Sequence, residues 1–309
     1  MIYLHIGPHK TGSTSIQGFM AAHEGQLAGQ DVHYPDVGRN RSGGHYLLRA
    51  ELRDKHSDLP GWSVLAAMDR ARPQARHVVS CEGFENCTPR HISAVAKALQ
   101  GCDVRLIGYF REYGGLVQSQ YLQLSRICRN IEDFDAFFER YFEENERLYA
   151  KFERWAEVFG WECMQVRLFD RSSLVAGDVV EDFLRAIGLS RAALKVENGS
   201  ERNVAPPWQT VEMMRAVFAE FGKLSGADND GWMGTMRTQV RVACEKAFAE
   251  SGVEAPKVQY LSRAQRLHCN ALTRQDLGDF NAHLAAPGLP CPPCVDEEPV
   301  ERLAMPTVS

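Results

Sequence analysis

The 309-residue sequence is short of several things, and each shortage narrows its function. It has no long apolar run: nothing approaches the roughly eighteen consecutive apolar residues of a membrane span, so no membrane span is expected. It has no basic excess either. Its 35 Lys and Arg face 40 Asp and Glu, a net charge of −5, so bulk electrostatics do not favour nucleic acid or an anionic membrane, and any anion site has to be local. It lacks a paired cysteine framework. Nine cysteines are scattered and odd in number, which fits free thiols in a reducing compartment. With no basic segment leading into an apolar stretch, the expected location is cytoplasmic. Cys291-Pro-Pro-Cys294 stands alone in a Pro-rich stretch without a second ligand pair, so no metal is expected there.

What is present is an ordinary globular composition, 44% hydrophobic and 24% charged, long enough for a large core. Short apolar runs alternate with helical periodicity. Strands are expected at Ile2 to Ile6, His77 to Cys81, Val104 to Phe110 and Cys163 to Phe169. Helices are expected over Ile16 to Leu27, near His45 to His56 and Gly61 to Ala75, and over Pro89 to Gln100. Others are expected around Leu116 to Leu124, Leu148 to Phe159 and Val179 to Ile187. Such alternation implies parallel strands joined by crossover helices, the α/β class. After Pro206-Pro207 the pattern turns helical, with segments at Val211 to Gly222, Thr235 to Ser251 and Arg263 to Leu284. The expected organisation is an α/β core over 1–205, a helical extension of the same domain over 206–285, and a disordered tail over 286–309. Tyr113, Tyr121, Trp208 and Trp232 are expected mainly as core aromatics.

One more absence is the most informative. GPHKTGSTS, Gly7 to Ser15, follows the first strand and opens a helix, the context in which unpaired helix N–H groups meet an anion. Gly7, Gly12 and Thr14 fit the triphosphate pattern G-x-x-x-x-G-K-[ST]. The lysine position, however, holds Ser13, and the loop's lysine is Lys10. No apolar strand ending in Asp is found to hold Mg2+ in the triphosphate manner. Instead the loop gathers Lys10 with four hydroxyls, Thr11, Ser13, Thr14 and Ser15. A second group, Arg111 at a strand end with Ser119 eight residues on, provides a guanidinium fork and a hydroxyl suited to another phosphate.

Together the two groups resemble the sulfotransferase superfamily that uses 3′-phosphoadenosine 5′-phosphosulfate. His9-Lys10-Thr11-Gly12-Ser13-Thr14 is similar to its P-K-[ST]-G-[ST]-[ST] loop, with His9 replacing proline, and Arg111 and Ser119 match its 3′-phosphate pair in type and spacing. The opening is closest to bacterial members beginning H-I-G-x-x-K-T-G, and the likeness covers residues 1 to about 190. The family's late Gly-rich 3′-phosphate segment is not recognisable; Arg202 or Asn203 is the substitute on offer. The resemblance implies a P-loop-like three-layer fold, a central parallel sheet flanked by helices. It implies His9, Lys10, Thr11, Gly12, Ser13, Thr14, Ser15, Arg111 and Ser119 as donor-binding residues. It also implies metal-free sulfuryl transfer to a hydroxyl or amine of a small molecule or glycan. Lys10 would stabilise the leaving group. The family's base is a His or Glu; in cytosolic members the His lies just after the strand preceding the 3′-phosphate strand, and the corresponding place here holds Glu82. His45 in GGHYLL is the rival base and Glu85 a third. The competing expectations are a small-molecule kinase with a degenerate loop and an inactive nucleotide-binding module.

Overall fold

The computed structural model describes residues 1–54, 58–127, 129–194, 208–225, 230–252, 260–284 and 288–292; the side chains of 220–225, 230–234 and 237 lie outside the description. Arg202, Asn203, the Pro206-Pro207 break, Cys294, most of the expected tail and the Trp232 side chain therefore fall outside the described residues.

The sheet consists of β1 (Ile2–His5), β2 (Val32–His33), β3 (Arg76–Ser80), β4 (Val104–Phe110) and β5 (Met164–Leu168). All pairings are parallel and the order is β2-β3-β1-β4-β5. The α/β expectation and its central parallel sheet are thus the observed architecture. The sequence reading missed β2, which spans two residues and is too short to show alternation. The helices are α1 (Ser13–Ala22), α2 (Glu24–Ala28), α3 (Tyr46–Glu51), α4 (Pro60–Ala71), α5 (Pro89–Ala98) and α6 (Tyr113–Arg126). Then come α7 (Phe134–Glu144), α8 (Leu148–Phe159), α9 (Val179–Ala186), α10 (Trp208–Ser225), α11 (Asp230–Ser251) and α12 (Arg263–His283). The single helix expected over Ile16 to Leu27 is broken at His23, whose φ of −117° leaves the helical region. The helix expected near His45 to His56 is the shorter α3.

The chain forms two compact units. One comprises Met1–Glu112, Glu146–Asn198 and Leu272–Pro293 and contains the sheet. On one face of that sheet, Ile16, Met20 and Leu27 from α1 and α2 join Val180, Phe183, Leu184 and Ile187 from α9 over Tyr3, Val78, Ile107 and Tyr109. These strand residues share a face because side chains alternate along a strand. On the other face α8 packs on β4: Phe152 lies so close to Gly108 that a Cβ there would meet its ring at 2.2 Å. Phe280 of α12 adds ring contacts to Phe110 and Phe152 at 5.5 and 5.3 Å between centroids.

The other unit comprises Tyr113–Asn145, Gly199–Ala271 and Cys294–Ser309. Tyr113 and Tyr121 are buried, as expected for core aromatics. Tyr121 lies 5.2 Å from Phe134 and 5.4 Å from Phe137 between ring centroids, and its hydroxyl donates to Glu212 at 2.8 Å. Met214, Phe218 and Cys244 form a small core between α10 and α11. Among the described residues no helix is long and apolar enough to cross a membrane.

Candidate functional site

The strand order sets the location. The chain leaves β1 for β2 and β3 on one side, then crosses to β4 on the other. The C-terminal ends of β1, β3 and β4 therefore surround a topological switch point, where open α/β sheets place ligands. Their register aligns His5 with Ser80 and with Ile107. Three segments emerge there: Gly7 to Gly12 after β1, Glu82–Asn86 as a single 3-10 turn after β3, and Arg111 after β4.

Two glycines allow the loop its path. Gly7 has φ 93°, and a Cβ on it would lie 3.0 Å from the Glu82 carbonyl oxygen and 3.1 Å from the Glu82 Cα. The loop backbone is thereby in contact with the turn that carries the acidic residues. Gly12, the N-cap of α1, has φ 77°, a left-handed conformation that costs other residues about 1 kcal/mol or more. A Cβ there would sit 2.8 Å from Val179 Cγ1 and 3.2 Å from Phe169. Among the described residues no side chain caps α1; Ser15 N–H donates to the Gly12 carbonyl at 3.0 Å, and the Ser13 and Thr14 N–H groups are the ones a helix start leaves for an anion. Lys10 is itself left-handed, with φ 66°, and its carbonyl accepts a 2.7 Å hydrogen bond from Arg111 Nη1. The guanidinium also lies over the Phe169 ring, 5.5 Å from its centroid. Burial lowers the Arg111 pKa against the pull of Glu112. Thr11 is fully buried, and its hydroxyl donates to the Pro8 carbonyl at 2.6 Å, so it braces the loop. Ser13 is buried, Ser15 half-buried and Thr14 exposed. Ser119 lies on α6 in the other unit and is half-buried.

Glu82 is the hub. Ser13 Oγ donates to its Oε2 and Tyr46 Oη to its Oε1, and His9 Nε2 stands 3.8 Å from Oε1. Burial and the bond to Glu82 push the Tyr46 hydroxyl pKa well up, so Tyr46 is a donor at any ordinary pH. His9 Nδ1 bonds Glu85 Oε1, and Lys151 Nζ of α8 bonds Glu85 Oε2 at 3.2 Å in a buried setting. For Glu85, burial raises the pKa, but His9 and Lys151 outweigh it, and the net shift is downward. Glu85 is therefore a buried anion held by the Lys151 ammonium and by the His9 ring.

His45 is not among the side chains brought together. It is fully buried. Its Nδ1 accepts from Ser80 N–H at 3.1 Å, and Nε2 is 2.9 Å from the Pro35 carbonyl, to which it donates. Burial lowers its pKa to about 4 against those backbone bonds. Both ring nitrogens are occupied, so the ring fastens the segment before α3 to β3.

The sequence reading missed Tyr46 and Lys151. Lys151 had a signal: it shares the buried face of α8 with Leu148, Phe152 and Trp155, and a lysine there needs an anionic partner. Among the described residues no group of three or more His, Cys, Asp or Glu could hold a metal ion.

No family model matches the chain. A curated relative from Archaeoglobus fulgidus, an uncharacterized protein, is 30% identical over 157 residues, which is 50% of this chain and 41% of that protein. The chain thus spans about two fifths of the length of the curated relative it matches. Among solved structures, a sulfotransferase from Alicyclobacillus acidocaldarius aligns over 74% of this chain and 97% of that one, at 18% identity and a TM-score of 0.38. A likeness of that size does not define a fold, and the architecture above rests on the strand pairings.

Proposed function

We propose that the protein is a sulfotransferase that moves the sulfuryl group of 3′-phosphoadenosine 5′-phosphosulfate to a hydroxyl or amine acceptor. One observation carries the reading. The first residue of α1, where a triphosphate loop keeps its lysine, is a serine whose hydroxyl is bonded to Glu82. The anion-binding helix start and a carboxylate are thus coupled in one crevice, and the loop's cation is displaced to Lys10. That arrangement suits transfer of a group of low charge from a phosphate held at the helix start to an acceptor whose proton the carboxylate takes.

The chemistry divides among the chain's own groups. The α1 N–H groups and Lys10 bind the 5′-phosphosulfate. Lys10 neutralises charge growing on the bridging oxygen as the sulfur–oxygen bond breaks, preorganised electrostatic stabilisation of a leaving group. Arg111 fixes the loop through the Lys10 carbonyl, and its remaining N–H donors serve the 3′-phosphate. Glu82 takes the acceptor proton as the acceptor atom bonds to sulfur, and adenosine 3′,5′-bisphosphate leaves with the bond electrons. Tyr46 and Ser13 each donate to one Glu82 oxygen, which fixes the carboxylate plane and leaves lone pairs for that proton.

Calorimetric titration with adenosine 3′,5′-bisphosphate, its 3′-dephospho form and ATP tests the reading. The 3′-phosphorylated nucleotide should bind tightest, and Arg111→Ala should weaken it more than the dephospho form. Binding of ATP with none of the bisphosphate would replace this reading with that of a kinase.

A further inference from the structure

We infer that His9 is a proton relay for Glu82, oriented by the Glu85–Lys151 pair. The inference rests on the reading proposed above and adds to it the route by which the acceptor proton leaves. Four side chains from three segments line up. Lys151 holds Glu85 Oε2 at 3.2 Å, Glu85 Oε1 is bonded to His9 Nδ1, and His9 Nε2 stands 3.8 Å from Glu82 Oε1. With Nδ1–H donated to Glu85, the neutral ring presents its Nε2 lone pair toward Glu82. A carboxylate that orients one imidazole nitrogen sets the tautomer and basicity of the other. The remaining gap is about 1 Å beyond hydrogen-bond length, and such bonds often tighten only when substrate is bound.

Burial separates this arrangement from a plain ion-pair network. The side chains of Glu85 and Lys151 are 7% and 9% exposed, whereas that of His9 is 39% exposed. The orienting pair is dry, and the imidazole opens to water. The step balances without any change of oxidation state. The acceptor proton passes to Glu82 as the acceptor–sulfur bond forms, then from Glu82 to His9 Nε2. Glu82 becomes a carboxylate again, and the imidazolium, now between Glu82 and Glu85, releases the proton to solvent. The charged groups that act on His9 are Glu85 and Glu82 from the turn after β3 and Lys151 from α8. Burial lowers its pKa, but the Glu85 bond and the two carboxylate charges raise it further, against Lys151, so the net shift is upward from 6.5.

The relay needs neutral His9, so turnover should rise with pH through a midpoint above 6.5. The test is the pH profile of kcat together with NMR titration of the nitrogen-15-labelled imidazole. In His9→Gln the acid limb with its midpoint above 6.5 should be lost, and kcat at the optimum should fall about tenfold or more. In Glu85→Gln both the His9 titration and the limb should move to lower pH; in Lys151→Met both should move to higher pH. A merely structural role would lower stability in these variants and leave the midpoint in place. An unmoved limb in His9→Gln, with wild-type turnover intact, overturns the relay and leaves the sulfotransferase reading standing. Absence of adenosine 3′,5′-bisphosphate binding by the wild type overturns that reading, and the relay falls with it. Should the buried substitutions fail to fold, His9→Gln at its partly exposed position decides alone.

Discussion

Acid should destabilise this fold steeply, and two histidines set the slope. His5 ends β1 and is fully buried. Its Nδ1 pairs with Ser80 Oγ at 2.8 Å, its Nε2 has no hydrogen-bond partner among the described residues, and the rings of Tyr109 and Phe183 lie 5.9 and 5.4 Å away. Burial lowers its pKa to about 4, against the nearby Glu82 charge. His45 is lowered to about 4 as well. In the unfolded chain both titrate near 6.5. Between those values the unfolded state binds protons that the folded state refuses. The stabilisation is therefore complete above about pH 6.5 and is lost as pH falls toward 4. Each histidine contributes a slope of about 1.4 kcal/mol per pH unit and a total of about 3 kcal/mol. The pair removes about 6 kcal/mol, a large part of the 5–15 kcal/mol typical of a folded domain. His77 and His91 shift in the same direction and steepen the fall. His9 shifts upward, so its contribution is already full below 6.5 and stays flat in this window. Urea unfolding at a series of pH values from about 7 to 4.5 measures the slope. His5→Gln and His45→Asn should each reduce it by about 1.4 kcal/mol per pH unit, whatever they do to stability at pH 7. Variants with the wild-type slope would refute the assignment of buried neutral rings.

Lys10→Ala should lower turnover about a hundredfold or more while leaving bisphosphate binding within severalfold, because the Arg111 bond is to the Lys10 backbone; steady-state kinetics with near-normal turnover would remove Lys10 from the mechanism. Glu82→Gln keeps the shape of the side chain, obliges one of the two hydroxyls that donate to it to accept instead, and removes its basicity. Donor affinity measured by calorimetry should hold while turnover falls about a hundredfold; a variant as fast as wild type would place the base elsewhere. Gly12→Ala combines a left-handed φ with a Cβ only 2.8 Å from Val179 Cγ1. It should destabilise by roughly 2–4 kcal/mol and lower Tm by several degrees on a thermal melt. An unchanged Tm would mean that α9 yields at little cost.

The sheet was legible where strands have four residues or more and are mostly buried. β1, β3, β4 and β5 announced themselves as apolar runs, each within a residue of its observed ends. The edge strand β2 was not legible, because its two residues are held by pairing to β3 rather than by their own pattern. α7 was missed although its signals were present: Asp133 caps Ala136 N–H, and Phe134, Phe137, Phe138 and Tyr141 recur at helical spacing. The candidate site was legible only as far as local motifs reach. The loop and Glu82 stand at strand ends that the sequence marks. Tyr46, Lys151 and the bond from His9 to Glu85 join residues 36, 66 and 76 positions apart, and local periodicity does not encode such pairings. His45 misled because pKa value and loop context argue for a base, whereas only tertiary structure reveals that two backbone groups already hold the ring.

Ser13 also sets a limit on redesign. Lysine substituted at this position would have to enter a place now only 3% exposed and would meet Glu82 as its counter-ion. A carboxylate neutralised in that way has little appetite for a proton. Recruiting this scaffold to triphosphates therefore demands that the 82–86 turn be rebuilt together with the loop, since a lone lysine swap would silence one chemistry before installing the other.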